Sequence, residues 1–161
     1  MREFPKKRYP DWGMRAAIAV GVFFSCAFSQ WEGDALLGKW LTEKNQAAFE
    51  FQRAENEYSA RLMPLKYPDL KDTNNPVDSL RGRKLSGATT IFGLRYDEKK
   101  KEWTDGWVYN PRDGKTYHCC CRLKENGAEL LFRGYLGMRL LGLTQVWKRV
   151  PYGKDGDGSI R

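Results

Sequence analysis

The sequence is poor in the residues from which disulfide frameworks are built. It contains four cysteines, and three of them, Cys119–Cys121, are consecutive. Neighbouring residues of a strand point to opposite faces, and Cys119 and Cys121 would lie about 7 Å apart along it, beyond comfortable disulfide reach. We therefore expect free thiols and a domain that is held together by its core.

Histidine is almost absent, which limits the chemistry further. A nucleophilic site of the serine–histidine or cysteine–histidine type would have to use His118, the one histidine, and its neighbour Cys119 faces the other way on a strand. Cys119 and Cys121 have no further ligands at the spacing of a zinc site. The acidic stretch Asp72–Asn74 lacks the glycine and glutamate of a calcium loop. We therefore expect no enzyme activity, no metal and no cofactor.

The part of the chain that we expect to fold lacks a basic cluster. The whole chain carries a net charge of +8, but residues 1–15 hold five basic and two acidic residues, a net +3. The remaining +5 is ordinary, and its one lysine run, Lys99–Lys101, lies between two strand candidates, where a solvated turn is usual. No nucleic-acid-binding module is recognisable, so we expect no nucleic-acid partner.

The apolar run Ala16–Phe28 is too short to cross a membrane. It has thirteen uncharged residues, against the roughly 20 of a spanning helix. With the basic residues before it and the small-x-small end after it, it predicts a signal peptide over residues 1–29. An uncleaved anchor or buried helix, and a lipoprotein joined through Cys26, are the alternatives. We expect an exported protein with no stable membrane span after cleavage, and free thiols favour a Gram-negative periplasm.

Alternating apolar and polar residues, separated by turn residues, predict eight β-strands and no long helix. The clearest pattern lies in the closing hairpin Arg133–Val150, where Trp147 and Arg149 fall on one face of the last strand. The predicted strands are Leu36–Glu43, Ala47–Gln52, Asn56–Tyr67, Ser86–Asp97, Trp103–Asn110, Lys115–Leu123, Glu129–Leu136 and Leu140–Val150.

Eight sequential antiparallel strands favour an all-β, up-and-down barrel over residues 30–152, followed by a flexible tail, 153–161. A two-sheet sandwich is the alternative architecture. The long irregular stretch Pro68–Leu85 predicts a loop at the open end, with Asn75, Arg81 and Arg83 as its polar contacts. Those three side chains would serve a ligand gate or simply fix the loop.

The inward-facing apolar residues define the candidate ligand site. In a small barrel such residues line a cavity or fill the interior, and the sequence leaves both options open. Gly93 predicts a bulge that would shift the register nearby. The candidate lining residues are Phe49, Phe51, Phe92, Leu94, Tyr117, Cys119 and Phe132.

Several motifs occur together and in order along the chain. They resemble those of the bacterial family called domain of unknown function 2147, over roughly Leu36–Val150. Asn110 stands where that family usually has aspartate, and Lys84 where proline is common. The motifs are Gly38–Thr42, Asp72-x-x-Asn75-Pro76, Leu80–Gly87, Trp107–Pro111, Asp113–Tyr117, Arg133–Gly137 and Thr144–Arg149.

The resemblance implies a lipocalin-like antiparallel barrel, an exported location and a small apolar ligand, with no established catalytic activity. It also implies that the guanidinium of Arg149 packs over the indole of Trp40 and so joins the last strand to the first. We expect a protein that binds a small hydrophobic or amphipathic molecule, such as a fatty acid. The alternatives are an envelope structural or interaction protein with a filled barrel, and a hydrolase that uses His118. The sequence leaves the oligomeric state undetermined.

Overall fold

The structure, a computed structural model, describes residues 32–63, 69–124 and 126–151. The chain divides into two compact units, residues 1–32 and 33–161, and the barrel belongs to the second. The predictions for the signal segment 1–29, for Cys26 and for the tail 153–161 fall outside the described residues. None of the helical turns in the described ranges has the length and apolarity that crossing a bilayer requires.

The strands of the described residues pair in chain order and close on themselves, which confirms the predicted antiparallel barrel. The first and last strands join through two residue pairs, Trp40 with Arg149 and Leu41 with Lys148. Closure leaves no free sheet edge. The strands are β1 (Gly38–Leu41), β2 (Ala48–Ala54), β3 (Glu57–Leu62), β4 (Thr89–Asp97), β5 (Glu102–Asn110), β6 (Lys115–Leu123), β7 (Glu129–Tyr135) and β8 (Leu143–Arg149).

Two of the predicted strands are too long because 3-10 turns replace their first residues. Asp34–Leu36 and Arg139–Leu141 form such turns, so β1 begins at Gly38 and β8 at Leu143. Near β8, the Arg133 guanidinium donates to the carbonyl oxygens of Arg139 and Leu140, each at 2.8 Å. Those oxygens are therefore not available for strand pairing. The alternation of apolar and polar residues cannot predict this effect.

The packed core occupies the end of the barrel that carries the β2–β3, β4–β5 and β6–β7 turns, which we call the closed end. Trp40 and Trp103 are at most 2% exposed there. The indole of Trp40 donates to the carbonyl of Leu36 at 2.8 Å, and that of Trp103 to the carbonyl of Gly33 at 3.1 Å. The segment before β1 therefore crosses the closed end and satisfies both buried donors.

One position of β4 breaks the inward–outward alternation. Gly93 has a φ of +74°, and the register of β4 against β3 shifts beside it. As a result Ile91 and Leu94 are both fully buried, whereas Phe92 lies on the outer wall and is 40% exposed. The prediction that Phe92 shares a face with Leu94 is therefore wrong, because one extra residue inverts the facing of its neighbours.

Candidate ligand-binding site

The other half of the barrel holds a cavity of about 1380 Å³. It opens between the β1–β2, β3–β4, β5–β6 and β7–β8 loops, and we call this the open end. Its walls come from strands all around the barrel and are mainly apolar. The larger apolar and aromatic side chains that line the cavity include Phe49, Leu62, Val108, Tyr117, Phe132 and Trp147.

Three stacked aromatic rings form the floor of the cavity. The ring of Trp147 lies 4.8 Å from that of Phe49 and 4.3 Å from that of Phe132, with interplanar angles of 7° and 11°. The indole nitrogen donates to Gln145 Oε1 at 2.9 Å, so the single polar atom of the stack is satisfied. Trp147 belongs to both the packed core and the cavity lining, and the stack therefore marks the boundary between them.

A few polar groups lie among these apolar walls. Thr90 is 1% exposed, and its hydroxyl has no hydrogen-bond partner among the described residues. At the mouth, Arg112 donates to Gln46 at 3.0 Å, and the Tyr117 hydroxyl donates to Asp113 at 2.6 Å. The hydrogen bond to this carboxylate raises the pKa of Tyr117. The arrangement suits an amphipathic molecule, with an apolar body on the floor and a polar group toward the mouth.

The β3–β4 loop is fastened to the outer wall through Asp72. This fully buried carboxylate accepts hydrogen bonds from Tyr109 at 2.5 Å, Asn75 at 2.7 Å and Arg83 at 2.9 Å. Burial would raise the pKa of Asp72, but the three donors outweigh it and lower that pKa. Burial and the Asp72 charge together raise the pKa of Tyr109 to about 12.

The predicted loop contacts fix this loop. Asn75 is 4% exposed and also accepts from the Val77 amide at 2.9 Å, and Arg81 donates to the Asn75 carbonyl at 2.8 Å. Arg83 pairs with Asp72, as described above. The contacts made by all three side chains support the loop-fixing interpretation.

The structure separates the seven predicted lining residues into three groups. Phe49, Tyr117 and Phe132 line the cavity. Phe51, Leu94 and Cys119 are buried in the packed core, and Phe92 is on the outer wall. Whether the first three residues bind a ligand stays a prediction.

Sequence reasoning missed Trp147, Val108 and Thr90 as part of the lining. The alternation of apolar and polar residues in β8 places Trp147 inside the barrel, so its contribution to the lining could have been predicted. Val108 is opposite both Ile91 and Tyr117, and its inward direction follows from that pairing. Thr90 lies where the β3–β4 register shifts, and no sequence pattern predicts its burial.

The predicted closure contact is present at the closed end. The guanidinium carbon of Arg149 lies 4.2 Å from the centre of the Trp40 ring. The same guanidinium donates to the carbonyl oxygens of Leu37, at 2.8 Å, and of Ala35, and to that of Gly127 at 3.1 Å. One side chain thus ties β8 to the segment before β1 and to the β6–β7 turn.

His118 lies on the outer wall, in a row of aromatic side chains. Its ring is 3.8 Å from that of Trp107 and 5.5 Å from that of Tyr135. Cys119, the next residue, points into the barrel and is fully buried. Within the described ranges, no three histidine, cysteine or acidic side chains cluster as metal ligands would.

The three adjacent thiols, Cys119, Cys120 and Cys121, are free and buried, and burial raises the pKa of each. We expect iodoacetamide at about pH 8 to modify them only when the barrel unfolds, because the thiolate is the reactive form. Mass spectrometry of a Cys26→Ser variant along a urea gradient measures this. Modification that is complete without urea would contradict the expectation.

Comparisons with known proteins agree with this geometry. Residues 38–149 match the model of a family described as "Uncharacterized protein conserved in bacteria (DUF2147)". A solved structure, that of protein HP1028 from Helicobacter pylori, is described as belonging to the lipocalin family. It is 27% identical, covers 73% of this chain and 84% of its own, and superposes with a TM-score of 0.65. No curated protein matches the chain.

Proposed function

The chain belongs to the bacterial family of uncharacterized proteins DUF2147, and we propose that it binds a small hydrophobic or amphipathic molecule, such as a fatty acid or another lipid, in the open half of its barrel. The observation that carries this proposal is the cavity above the stacked rings of Phe49, Trp147 and Phe132. At about 1380 Å³ it exceeds the roughly 300–1,000 Å³ of ordinary ligand pockets.

The alternative of a filled barrel is less well supported. Small barrels with no ligand are usually packed through their whole length. Here the packing ends at the aromatic stack, and apolar side chains such as Leu62 and Val108 line the space beyond it together with polar groups nearer the mouth. An alkyl chain would replace water against those walls, which favours binding by roughly 25 cal/mol per Å² of apolar area buried.

The polar groups suggest how the ligand is oriented. Arg112, at the mouth, offers a positive charge to an acidic head group. We propose a carrier or binding protein, not an enzyme, that acts in the periplasm after export.

Filling the cavity tests this proposal. Gly134 lines it, and a Cβ there would lie 3.9 Å from Val108, so a side chain at this position enters the cavity. We expect Gly134→Phe to weaken binding of a fluorescent fatty acid by tenfold or more, about 1.4 kcal/mol. Gly134→Ala, the matched control, should bind like the parent. Fluorescence titration measures the affinities.

Two outcomes would count against the cavity as the binding site. A parent protein that binds no fatty acid in titration, and carries no apolar molecule in native mass spectrometry, would exclude the proposed function. Equal binding by Gly134→Phe and Gly134→Ala would place the fatty acid elsewhere. Urea denaturation of both variants establishes that each is folded.

A further inference from the structure

One hydrogen bond at the open end joins two turns from opposite sides of the barrel. The β1–β2 and β5–β6 turns are separated by half of the closed ring of strands, so they face each other across the mouth. Arg112, in the β5–β6 turn, nevertheless donates to Gln46 Oε1, in the β1–β2 turn, at 3.0 Å. Both residues border the cavity, and we call this pair the mouth bridge.

The backbone on each side of the mouth bridge is held by its own turn. In the β1–β2 turn, the amide of Ala47 donates to Thr42 Oγ1 at 3.1 Å, and the amide of Thr42 donates to the Ala47 carbonyl at 2.9 Å. In the β5–β6 turn, the amide of Arg112 donates to Asn110 Oδ1 at 3.1 Å. The mouth bridge can therefore open by rotation of two side chains, without movement of either turn.

The β3–β4 loop forms a fixed cover on one side of the mouth bridge. The side-chain amide of Asn74 donates to the carbonyl oxygens of Pro111 and Arg112, at 3.2 and 3.0 Å. Gly114 lies so close to Asn74 that a side chain at position 114 would meet the Asn74 carbonyl. Because Asp72 also fastens this loop to the outer wall, we expect no passage for a ligand on this side.

The other side of the mouth bridge faces β8. The border of the cavity there consists of Leu143 and Gln145, both of which are exposed. The mouth bridge itself joins two exposed side chains, so its hydrogen bond competes with water and breaks more easily than the buried contacts of Asp72. The mouth bridge is thus the weakest of the contacts that span the mouth.

We propose that the mouth bridge is a gate made of side chains, which sets how fast a ligand enters and leaves the cavity. This inference rests on the proposed function, because only a cavity that takes up a ligand needs a gate. A gate changes the entry and exit rates in the same proportion, since both events pass through the same open state. A residue that binds the ligand changes mainly the exit rate, and with it the affinity.

Stopped-flow fluorescence with a fluorescent fatty acid tests the gate in the full chain. Gln46→Ala removes the acceptor, so we expect both rates to rise about fivefold and the Kd to change by less than about twofold. Gln46→Glu replaces the neutral acceptor by a carboxylate, which binds a guanidinium more tightly, so both rates should fall. Lys44→Ala, at an exposed position of the same turn outside the cavity lining, should behave like the parent.

The same substitutions in an Arg112→Ala background decide whether the pair acts as a unit. Neither Gln46→Ala nor Gln46→Glu should change the rates there, because the donor is absent. Slower entry into Gln46→Glu that persists without Arg112 would mean that the new charge repels the ligand directly, and would overturn the gate.

Two further results would overturn the gate, and they are distinguishable from failure of the proposed function. Equal rates for the parent, Gln46→Ala and Gln46→Glu would show that the ligand passes elsewhere. A changed Kd with an unchanged entry rate would make Gln46 a ligand contact. In both cases the parent still binds fatty acid, whereas a parent that binds none removes the proposed function and the gate together.

Discussion

Replacing Asp72 by alanine is expected to lower the free energy of unfolding by about 3–5 kcal/mol. The substitution leaves the hydroxyl of Tyr109 and the amide of Asn75 without their acceptor, both at buried positions. It also removes the carboxylate that neutralises Arg83 at 2.8 Å. Urea denaturation of the full-length chain measures the loss.

A second aspartate in the same loop provides a matched control. Asp78 pairs with Arg81 at 2.9 Å, but its side chain is 86% exposed, so Asp78→Ala should cost less than about 1 kcal/mol. If Asp72→Ala and Asp78→Ala destabilise the chain equally, the buried network does not anchor the loop. Asp72→Asn, which keeps the shape and loses the charge, should fall between them.

The carboxylate of Asp72 also makes the free energy of unfolding depend on pH. Because the folded-state pKa of Asp72 is lower than its unfolded value of about 3.9, its contribution is complete above that pH. The contribution is then lost as the pH falls toward the folded-state pKa. The difference in unfolding free energy between the parent and Asp72→Asn should therefore shrink below about pH 4. A difference that stays constant from neutral pH to pH 3 would contradict this linkage.

Replacing Arg149 by alanine is expected to lower the free energy of unfolding by about 2–4 kcal/mol. The change removes the cation–π contact with Trp40 and the hydrogen bonds to Leu37, Ala35 and Gly127. The expected loss of unfolding free energy is moderate because the Ala35 carbonyl is exposed and can accept a hydrogen bond from water instead. Urea denaturation gives the total loss.

The position of Arg149 also predicts where the barrel opens first. β1 and β8 share only the pairs at Trp40 and Leu41 in the described structure, so this seam depends heavily on one guanidinium. Amide hydrogen exchange across β1 and β8 should accelerate more than in β5. Lys148→Ala, a substitution at an exposed position of the same strand, should neither lower the free energy of unfolding appreciably nor accelerate amide exchange in β1 and β8. Arg149→Lys keeps the positive charge but loses the planar guanidinium, which donates to several carbonyl oxygens at once. If the lysine variant unfolds with the same free energy as the parent, the carbonyl contacts do not stabilise the barrel.

Local sequence patterns were sufficient to predict the barrel, whereas the closure contact between Trp40 and Arg149 was implied by the family resemblance. Alternation and turn residues predicted β6 at its observed bounds, Lys115–Leu123, and the facing of Trp147 and Arg149 in β8. Phe92 was assigned to the wrong face because the bulge at Gly93 changes the register, and a single shift of this kind reverses which residues point inward.

The parts of the site that sequence did not predict depend on contacts between distant residues. Asp72 and Tyr109 are 37 positions apart, so the anchor of the β3–β4 loop has no local pattern. Leu140 and Leu141 were placed in a strand because they are apolar, and the structure shows them exposed. Apolar composition indicates a preference for leaving water, and it does not reveal whether the partner is the protein's own core.

Because β8 is the last strand of the barrel, its position has a consequence for how the chain acquires its structure during synthesis. Trp147 supplies the middle ring between Phe49 and Phe132, and Arg149 covers Trp40. Both residues are made after every other strand, so a nascent chain that ends before Leu143 has neither a cavity floor nor a sealed end. Ring closure is therefore a single late event of long sequence separation, which favours slow folding. The closed barrel, with its floor and its sealed end, can therefore form only after the whole of β8 has been made.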